Sequence, residues 1–313
     1  MRDYNLNYMS MRKIFSFLLI VAVAMISVGC CEKRCCKQEL SFTQLMEQSA
    51  PEQVEAWYNC ASRLDEEYTK AHAAELREQK KLLAFDLDGT LSNHKCPMPA
   101  ENRALLDALG KRYHLVMVGA GNAPRIFKQM ENYSIDIVGN YGMQHAKVVD
   151  GELQITKQII SEIDAQFFRT ETDRLREKYG YTEYAGEPLE FHKSGMVTFA
   201  LLGTKAKKED KLVFDPDRAK RRVMYPEVLQ IFKDYTVFIG GSTSFDIVEK
   251  QYNKYDAVLE YAKMHGYTKE QILFFGDDMG DGGGDSHIRL GGMDYIHILD
   301  YTKIPELSAF LLE

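Results

Sequence analysis

Apolar and polar positions change rhythm several times along this chain. From Phe42 to Lys80 no strand-like alternation occurs. Pro51 is placed to start a helix, and Val54, Trp57, Tyr58, Ala61, Leu64 and Tyr68 recur at three- and four-residue steps. That spacing predicts an amphipathic helical extension over 42–80. Short apolar runs follow at Leu82 to Phe85, Leu115 to Val118, Ile135 to Val138 and Ile272 to Phe275, with helical patterns such as Glu101 to Leu109 between the first three. Near-continuous apolar strands alternating with helices predict an α/β fold, a parallel sheet covered on both faces. Ligands of such sheets gather beyond the carboxyl ends of the strands, where each of these runs carries polar or glycine residues.

The stretch between Glu152 and Glu249 has a different texture. Leu189 to Phe191, Met196 to Leu202, Val237 to Ile239 and Phe245 to Val248 predict antiparallel strands, with helices near Ser161–Tyr179 and Pro216–Asp234. An inserted α+β cap over 152–249 is therefore expected, between core segments at 81–151 and 250–313. Lys205 to Lys211 reads as a solvated loop.

At the start of the chain, Arg12 and Lys13 precede an apolar run from Ile14 to Val28 that ends in Gly29–Cys30. A basic flank, a short apolar stretch and small residues before a cut describe an export signal over 1–30. The run is shorter than the ~20 residues a spanning helix prefers. Its end resembles the lipobox of bacterial lipoproteins, which implies lipidation of Cys30, a membrane anchor and a polar tether over 31–41. Ser27 stands where that pattern usually has leucine, and Met9 or Met11 would serve equally well as the start. An uncleaved membrane anchor is the competing reading. Either one places the folded part outside the cytoplasm, in the periplasm or at the cell surface. Cys31, Cys35 and Cys36 crowd behind Cys30 without a neighbouring His or Cys set to complete a tetrahedral metal site. The net charge of -7 argues against a nucleic-acid partner, because neutralising a phosphate backbone needs a basic surface.

The strongest chemical signal is Phe85-Asp86-Leu87-Asp88-Gly89-Thr90-Leu91, directly after an apolar run. Two carboxylates two residues apart beside a glycine turn suit a nucleophile, Asp86, and a general acid/base, Asp88. A calcium loop shares the bare pattern, but the buried strand before it and the absence of a later glutamate argue against one. Far downstream, Phe274-Phe275-Gly276-Asp277 ends another strand, and Asp278, Asp281 and Asp285 follow on a glycine-rich loop. Acidic oxygens gathered opposite Asp86 would make a hard-cation site, with Mg2+ the natural occupant.

The pattern D-x-D-G-T-L resembles the first motif of the haloacid dehalogenase superfamily. That resemblance implies a Rossmann-like core and metal ligation by Asp86, the backbone carbonyl of Asp88 and Asp277. Asp285 matches the downstream acidic position, and Asp281 is a further candidate ligand. It also implies a lysine between the motifs that neutralises nucleophile and phosphoryl group; Lys254 fits, with Lys250 as its rival. Gly240-Gly241-Ser242-Thr243-Ser244-Phe245-Asp246-Ile247, with Lys254 at its distance beyond, is similar to the α-phosphomannomutase branch. So is Val118-Gly119-Ala120-Gly121-Asn122, where Gly119 replaces the usual Thr or Ser and leaves phosphate binding to backbone N–H groups of Gly119, Ala120 and Gly121 or to Asn122.

The departures matter as much. Where that branch carries cap arginines, this chain has His192 and Lys193, then Thr204 and Lys205, and the arginine expected just upstream of Leu189 is missing. Lysine does not reproduce arginine's bidentate grip on phosphate. The expectation is thus a Mg2+-dependent phosphatase of a small phosphorylated molecule, with a hexose-phosphate mutase and a non-catalytic anchored binding protein as alternatives. His192, Lys193, Ser244 and Asp246 are candidate substrate contacts, with strand packing the competing role for the last two.

Overall fold

The computed structural model describes residues 63–216 and 218–313. The export signal, Cys30 and its neighbouring cysteines, the tether and the first part of the helical extension lie outside the described residues. Among those described, no helix is long and apolar enough to cross a membrane.

The extension enters as two short helices, α1 (Glu66–Ala71) and α2 (Ala73–Gln79), which meet at His72 rather than forming one continuous helix. Asp65 caps α1 by accepting from the Tyr68 N–H at 2.8 Å, and Glu66 and Glu67 suit its positive end. Leu64 and Leu76 are buried in the core, and the Leu64 N–H donates to Tyr295 O at 2.9 Å. The extension is thus a part of the core's packing.

The core sheet contains β1 (Leu82–Phe85), β2 (His114–Val118), β3 (Asp136–Gly139), β4 (Gln144–Val149), β5 (Glu152–Gln158), β10 (Ile272–Gly276) and β11 (Tyr295–His297), in the order β11-β10-β1-β2-β3-β4-β5. The strands from β11 to β3 run parallel, and β4 and β5 add an antiparallel edge. Alternate residues of β1 serve two separate cores. Leu83 and Phe85 join Leu105 and Leu106 of α3 (Ala100–Leu109) and Ile126 of α4 (Ala123–Gln129). Leu82 and Ala84 join Tyr255 and Val258 of α8 (Lys254–Met264) on the opposite face. A strand buried on both sides cannot alternate with polar residues, hence the continuous apolar run.

The cap boundary falls later than expected. Glu152–Gln158 pairs with β4 in the core sheet, because Asp150 (φ 52°) and Gly151 (φ 81°) form a two-residue hairpin turn. The cap's own elements start with α5 (Ala165–Tyr179) and continue through β6 (Leu189–Phe191), β7 (Val197–Ala200), α6 (Lys208–Phe214), α7 (Ala219–Ile231), β8 (Tyr235–Phe238) and β9 (Ser244–Glu249). The expected loop at 205–211 gives way at Lys208 to the short helix α6, whose first turn carries Glu209 and Asp210. The cap strands form one antiparallel sheet, β6-β7-β9-β8. Phe199, Phe245 and Ile247 pack on Phe168 and Leu175 of α5 and Val228 of α7. The sheet's other face meets the core, where Phe238 stacks on Tyr141 with ring centroids 4.1 Å apart.

Arg221 is 1% exposed and ties the β8–β9 turn down. Its Nε donates to Asp215 at 2.7 Å, and Nη1 donates to the carbonyls of Gly240, Gly241 and Ser244 at 2.8–3.1 Å. Replacing Asp215 with Ala leaves that guanidinium buried and unbalanced. The expected loss, read by urea unfolding, is about 3–5 kcal/mol, and the double variant Asp215→Ala/Arg221→Met loses less than the single one.

Candidate active site

Asp86 follows β1, which lies between β10 and β2 in the core sheet, and its N–H donates to Phe275 O at 2.9 Å. Asp277 follows β10, so the two carboxylates leave adjacent parallel strands at the same end. The turn between Asp86 and Leu91 comes so close to Asp277 that a Cβ on Gly89 would lie 2.4 Å from Asp277 Oδ2; Gly89 also has φ +95°. Thr90 donates to Asp277 Oδ1 at 3.3 Å, so its hydroxyl orients the partner carboxylate across the turn. The loop after Asp277 returns Asp285 to the site, where Asp285 Oδ2 accepts from the Asp278 N–H at 3.0 Å. One oxygen each from Asp86, Asp277 and Asp285 lie within 4.8 Å of one another.

Lys254 completes the cluster. It is 3% exposed, and its Nζ donates to Asp86 Oδ1 at 2.6 Å and to Asp285 Oδ1 at 2.7 Å. Asn253 caps α8 by accepting from the Asp256 N–H at 3.0 Å, which fixes Lys254 as the first residue of that helix. Lys250, the rival, lies in the turn after β9. Asp281 is not part of the cluster: its side chain is 78% exposed and accepts from Arg289 at 3.2 Å, because the loop reverses at Gly282.

Asp88 points elsewhere, into a clamp that the motif does not reveal. Its Oδ2 accepts from Arg125 Nη2 at 2.9 Å, and its Oδ1 from Gln129 Nε2 at 2.6 Å and the Lys95 N–H at 2.7 Å. Arg125 and Gln129 are four residues apart and share one face of α4. A Cβ on Gly121 would lie 2.6 Å from Arg125 Nε, so that glycine makes room for the clamp. Two of the four expected phosphate binders are already engaged. The Gly119 N–H donates to Val138 O at 2.9 Å, and Asn122 Oδ1 accepts from the Arg125 N–H at 2.9 Å as the cap of α4. Among the described residues, the N–H groups of Ala120 and Gly121 have no backbone partner.

On the cap side, Asp246 is 8% exposed; its Oδ1 accepts from Thr198 Oγ1 at 3.0 Å and its Oδ2 from Tyr141 Oη at 3.2 Å. His192 Nε2 lies 3.0 Å from the same Thr198 hydroxyl. Since that hydroxyl spends its proton on Asp246, His192 is the donor. Ser244 Oγ donates to Gly240 O at 3.0 Å, and Lys193 is exposed in the turn after β6. The structure therefore joins His192 to Asp246 through Thr198 but uses Ser244 to brace the turn. Arg218, which the helical reading of 216–234 passed over, precedes α7 and donates to Asp278 on the metal-side loop.

A profile of the haloacid dehalogenase-like hydrolases matches residues 83–282. The chain belongs to that family. The phosphomannomutase of Encephalitozoon cuniculi is 26% identical over 223 residues, 68% of this chain and 85% of that protein. The phosphomannomutase of Drosophila melanogaster is also 26% identical, over 229 residues, 69% of this chain and 88% of that one. Among solved structures, the ATP-bound IMP-nucleotidase of Plasmodium falciparum superposes with a TM-score of 0.56 at 14% identity, covering 99% of this chain and 80% of its own. That last likeness concerns the fold.

The electrostatics of this hydrolase site favour a cation. Burial, and then the charges of Asp86, Asp285 and Asp278, push the Asp277 carboxyl up to about 9. Burial pushes Asp285 up to about 6 even though Lys254 pulls it down. Burial works against the Lys254 charge, but Asp285 and Asp86 outweigh it and hold the ammonium well above the usual lysine range. Three carboxylates sharing one ammonium leave an excess of negative oxygen, the donor set that suits Mg2+. Asp277 also gives a stability prediction. A carboxyl that titrates near 3.8 when unfolded and near 9 when folded stabilises the protonated native state, and that contribution fades as pH rises between those values. Without metal at pH 8, Asp277→Asn should therefore raise the melting temperature, by roughly 2–4 °C per kcal/mol relieved. The gain should vanish near pH 4, and Mg2+ should stabilise the wild type more than the variant; differential scanning calorimetry checks all three.

Proposed function

We propose that this hydrolase is a Mg2+-dependent phosphatase acting on a small phosphorylated metabolite, a sugar phosphate foremost, through an aspartyl-phosphate on Asp86. The observation that carries this reading is the placement of Lys254 between Asp86 and Asp285, with Asp277 in reach of the same ion. Asp86, Asp277 and Asp285 would hold Mg2+, with the Asp88 carbonyl added by analogy to the family. Mg2+ held there would lessen the repulsion between the Asp86 carboxylate and the phosphate. An Asp86 oxygen forms the new bond to phosphorus as the ester oxygen leaves. Asp88 gives the leaving oxygen a proton, then takes one from the water that releases phosphate. Lys254 balances charge on Asp86 before attack and on the phosphoryl oxygens afterwards.

The names of the relatives favour a second reading, exchange of phosphate between sugar positions by a mutase. The cap supports hydrolysis instead. A mutase must retain a bisphosphate while it turns over, and five of the six described cap arginines are spent on the protein itself; the sixth, Arg222, is exposed beside Gly280 of the loop between Asp277 and Asp285. Arg176 and Arg221 hold buried carbonyls, Arg174 pairs with Glu171 and Glu227, Arg169 lies over Phe191, and Arg218 binds Asp278. The Arg12–Cys30 pattern adds an exported, anchored location to the proposal, where cytoplasmic sugar bisphosphates would be absent.

The test is a screen of phosphorylated sugars with Mg2+, measuring free phosphate and isomer formation together. Phosphate release that Asp86→Asn lowers by about three orders of magnitude or more is expected; isomer without phosphate establishes the mutase. Turnover of neither kind, with the wild type matching Asp86→Asn, removes both readings and leaves the binding protein. A second outcome concerns the clamp on Asp88. Burial raises the Asp88 pKa, but the Arg125 charge and the bonds from Gln129, Lys95 and Arg125 hold it below the usual value. Arg125→Met should therefore move the acid limb of kcat to higher pH. A rise in KM with no movement of that limb would assign Arg125 to substrate binding.

A further inference from the structure

At the far end of the core sheet, away from Asp86, a second cluster has the chemistry of a ligand site. His114 opens β2, Asp136 opens β3, and His265 is the C-cap of α8. One donor atom from each lies within 4.8 Å of the others. His265 is exposed, and the other two are half-buried, so an ion can enter from solvent.

Every member of the cluster is oriented by Tyr261. Its hydroxyl donates to Asp136 Oδ2 at 2.6 Å and lies 2.9 Å from His114 Nε2. A hydroxyl that has given its proton to a carboxylate can only accept from the imidazole. His114 is thus protonated on Nε2 and carries its lone pair on Nδ1. His265 Nδ1 lies 2.9 Å from the Tyr261 carbonyl, which can only accept, so its lone pair is on Nε2. Metal-binding histidines are commonly fixed in this way, with the second ring nitrogen donating to a neighbour.

An independent observation lies beside the cluster. His145 is 3% exposed, and its Nε2 has no hydrogen-bond partner among the described residues. Its ring is 6.3 Å from that of Tyr261.

We infer that His114, Asp136 and His265 form a second metal site, for a divalent cation of the zinc class. Two imidazoles and one carboxylate suit zinc, whereas the all-carboxylate cluster around Asp86 suits magnesium, so each site selects its own ion. Zinc here joins the amino ends of β2 and β3 to the last turn of α8, the helix whose first residue is Lys254. The site is independent of the proposed phosphatase activity.

The experiment is a zinc titration by calorimetry on the full chain in detergent, with Cys30, Cys31, Cys35 and Cys36 replaced by Ser and Mg2+ saturating. One equivalent of Zn2+ is expected to bind, with His265→Ala weakening it at least about tenfold and Asp277→Asn leaving it unchanged. With Co2+ in place of zinc, the visible absorption should show nitrogen and oxygen ligation without a thiolate band. His265 is exposed at a helix end, so its replacement leaves the fold intact, and far-UV circular dichroism checks this. No zinc equivalent under these conditions, equal affinity in His265→Ala, or loss of the equivalent in Asp277→Asn would each overturn the assignment.

Discussion

The convergence of Asp86, Asp277 and Asp285 on one ammonium is the constraint to which the surrounding structure is fitted. Like charges at this separation repel strongly in a buried site. They are held there because two of them end adjacent parallel strands, paired Phe85 to Phe275, and cannot move apart without breaking the sheet. Lys254 satisfies two of the three, and the third, Asp277, is held towards its protonated form by burial and by its neighbours' charges, a cost that a bound cation would remove. A neutral substitute at Asp277 would relieve that repulsion, whereas one at Asp86 or Asp285 would take a partner from the buried Lys254 ammonium.

The cap is joined to this site by contacts rather than by the chain crossings alone. Tyr141 takes a left-handed conformation, φ 55°, which costs a non-glycine residue on the order of 1–3 kcal/mol. In return its ring stacks on Phe238, and its hydroxyl donates to Asp246 in the cap sheet. Arg218 and the Ile239 N–H reach the loop between Asp277 and Asp285, at Asp278 and at Gly282 O. The loop that carries two candidate metal ligands is therefore braced by the cap. Cap position and metal-site geometry are one mechanical problem, and α8 extends it to the sheet's opposite end through Tyr261 and His265.

What the sequence determined is local. The apolar runs gave the strands of the core because burial on both faces permits no polar alternation, and Asp86-x-Asp88-Gly89 marked a candidate site because the pattern is contained in a few consecutive residues. Asp277, Asp285 and Lys254 were legible because their spacing matches a family pattern. Only the tertiary structure decided the rest. It turned Asp281 outward, gave Asp88 to Arg125 and Gln129, assigned Glu152–Gln158 to the core sheet and brought His114, Asp136 and His265 together. Each of those outcomes depends on which face of a helix or strand meets a partner far away in the chain. Periodicity reports how a segment divides into faces, while the partner of each face is set by packing between segments.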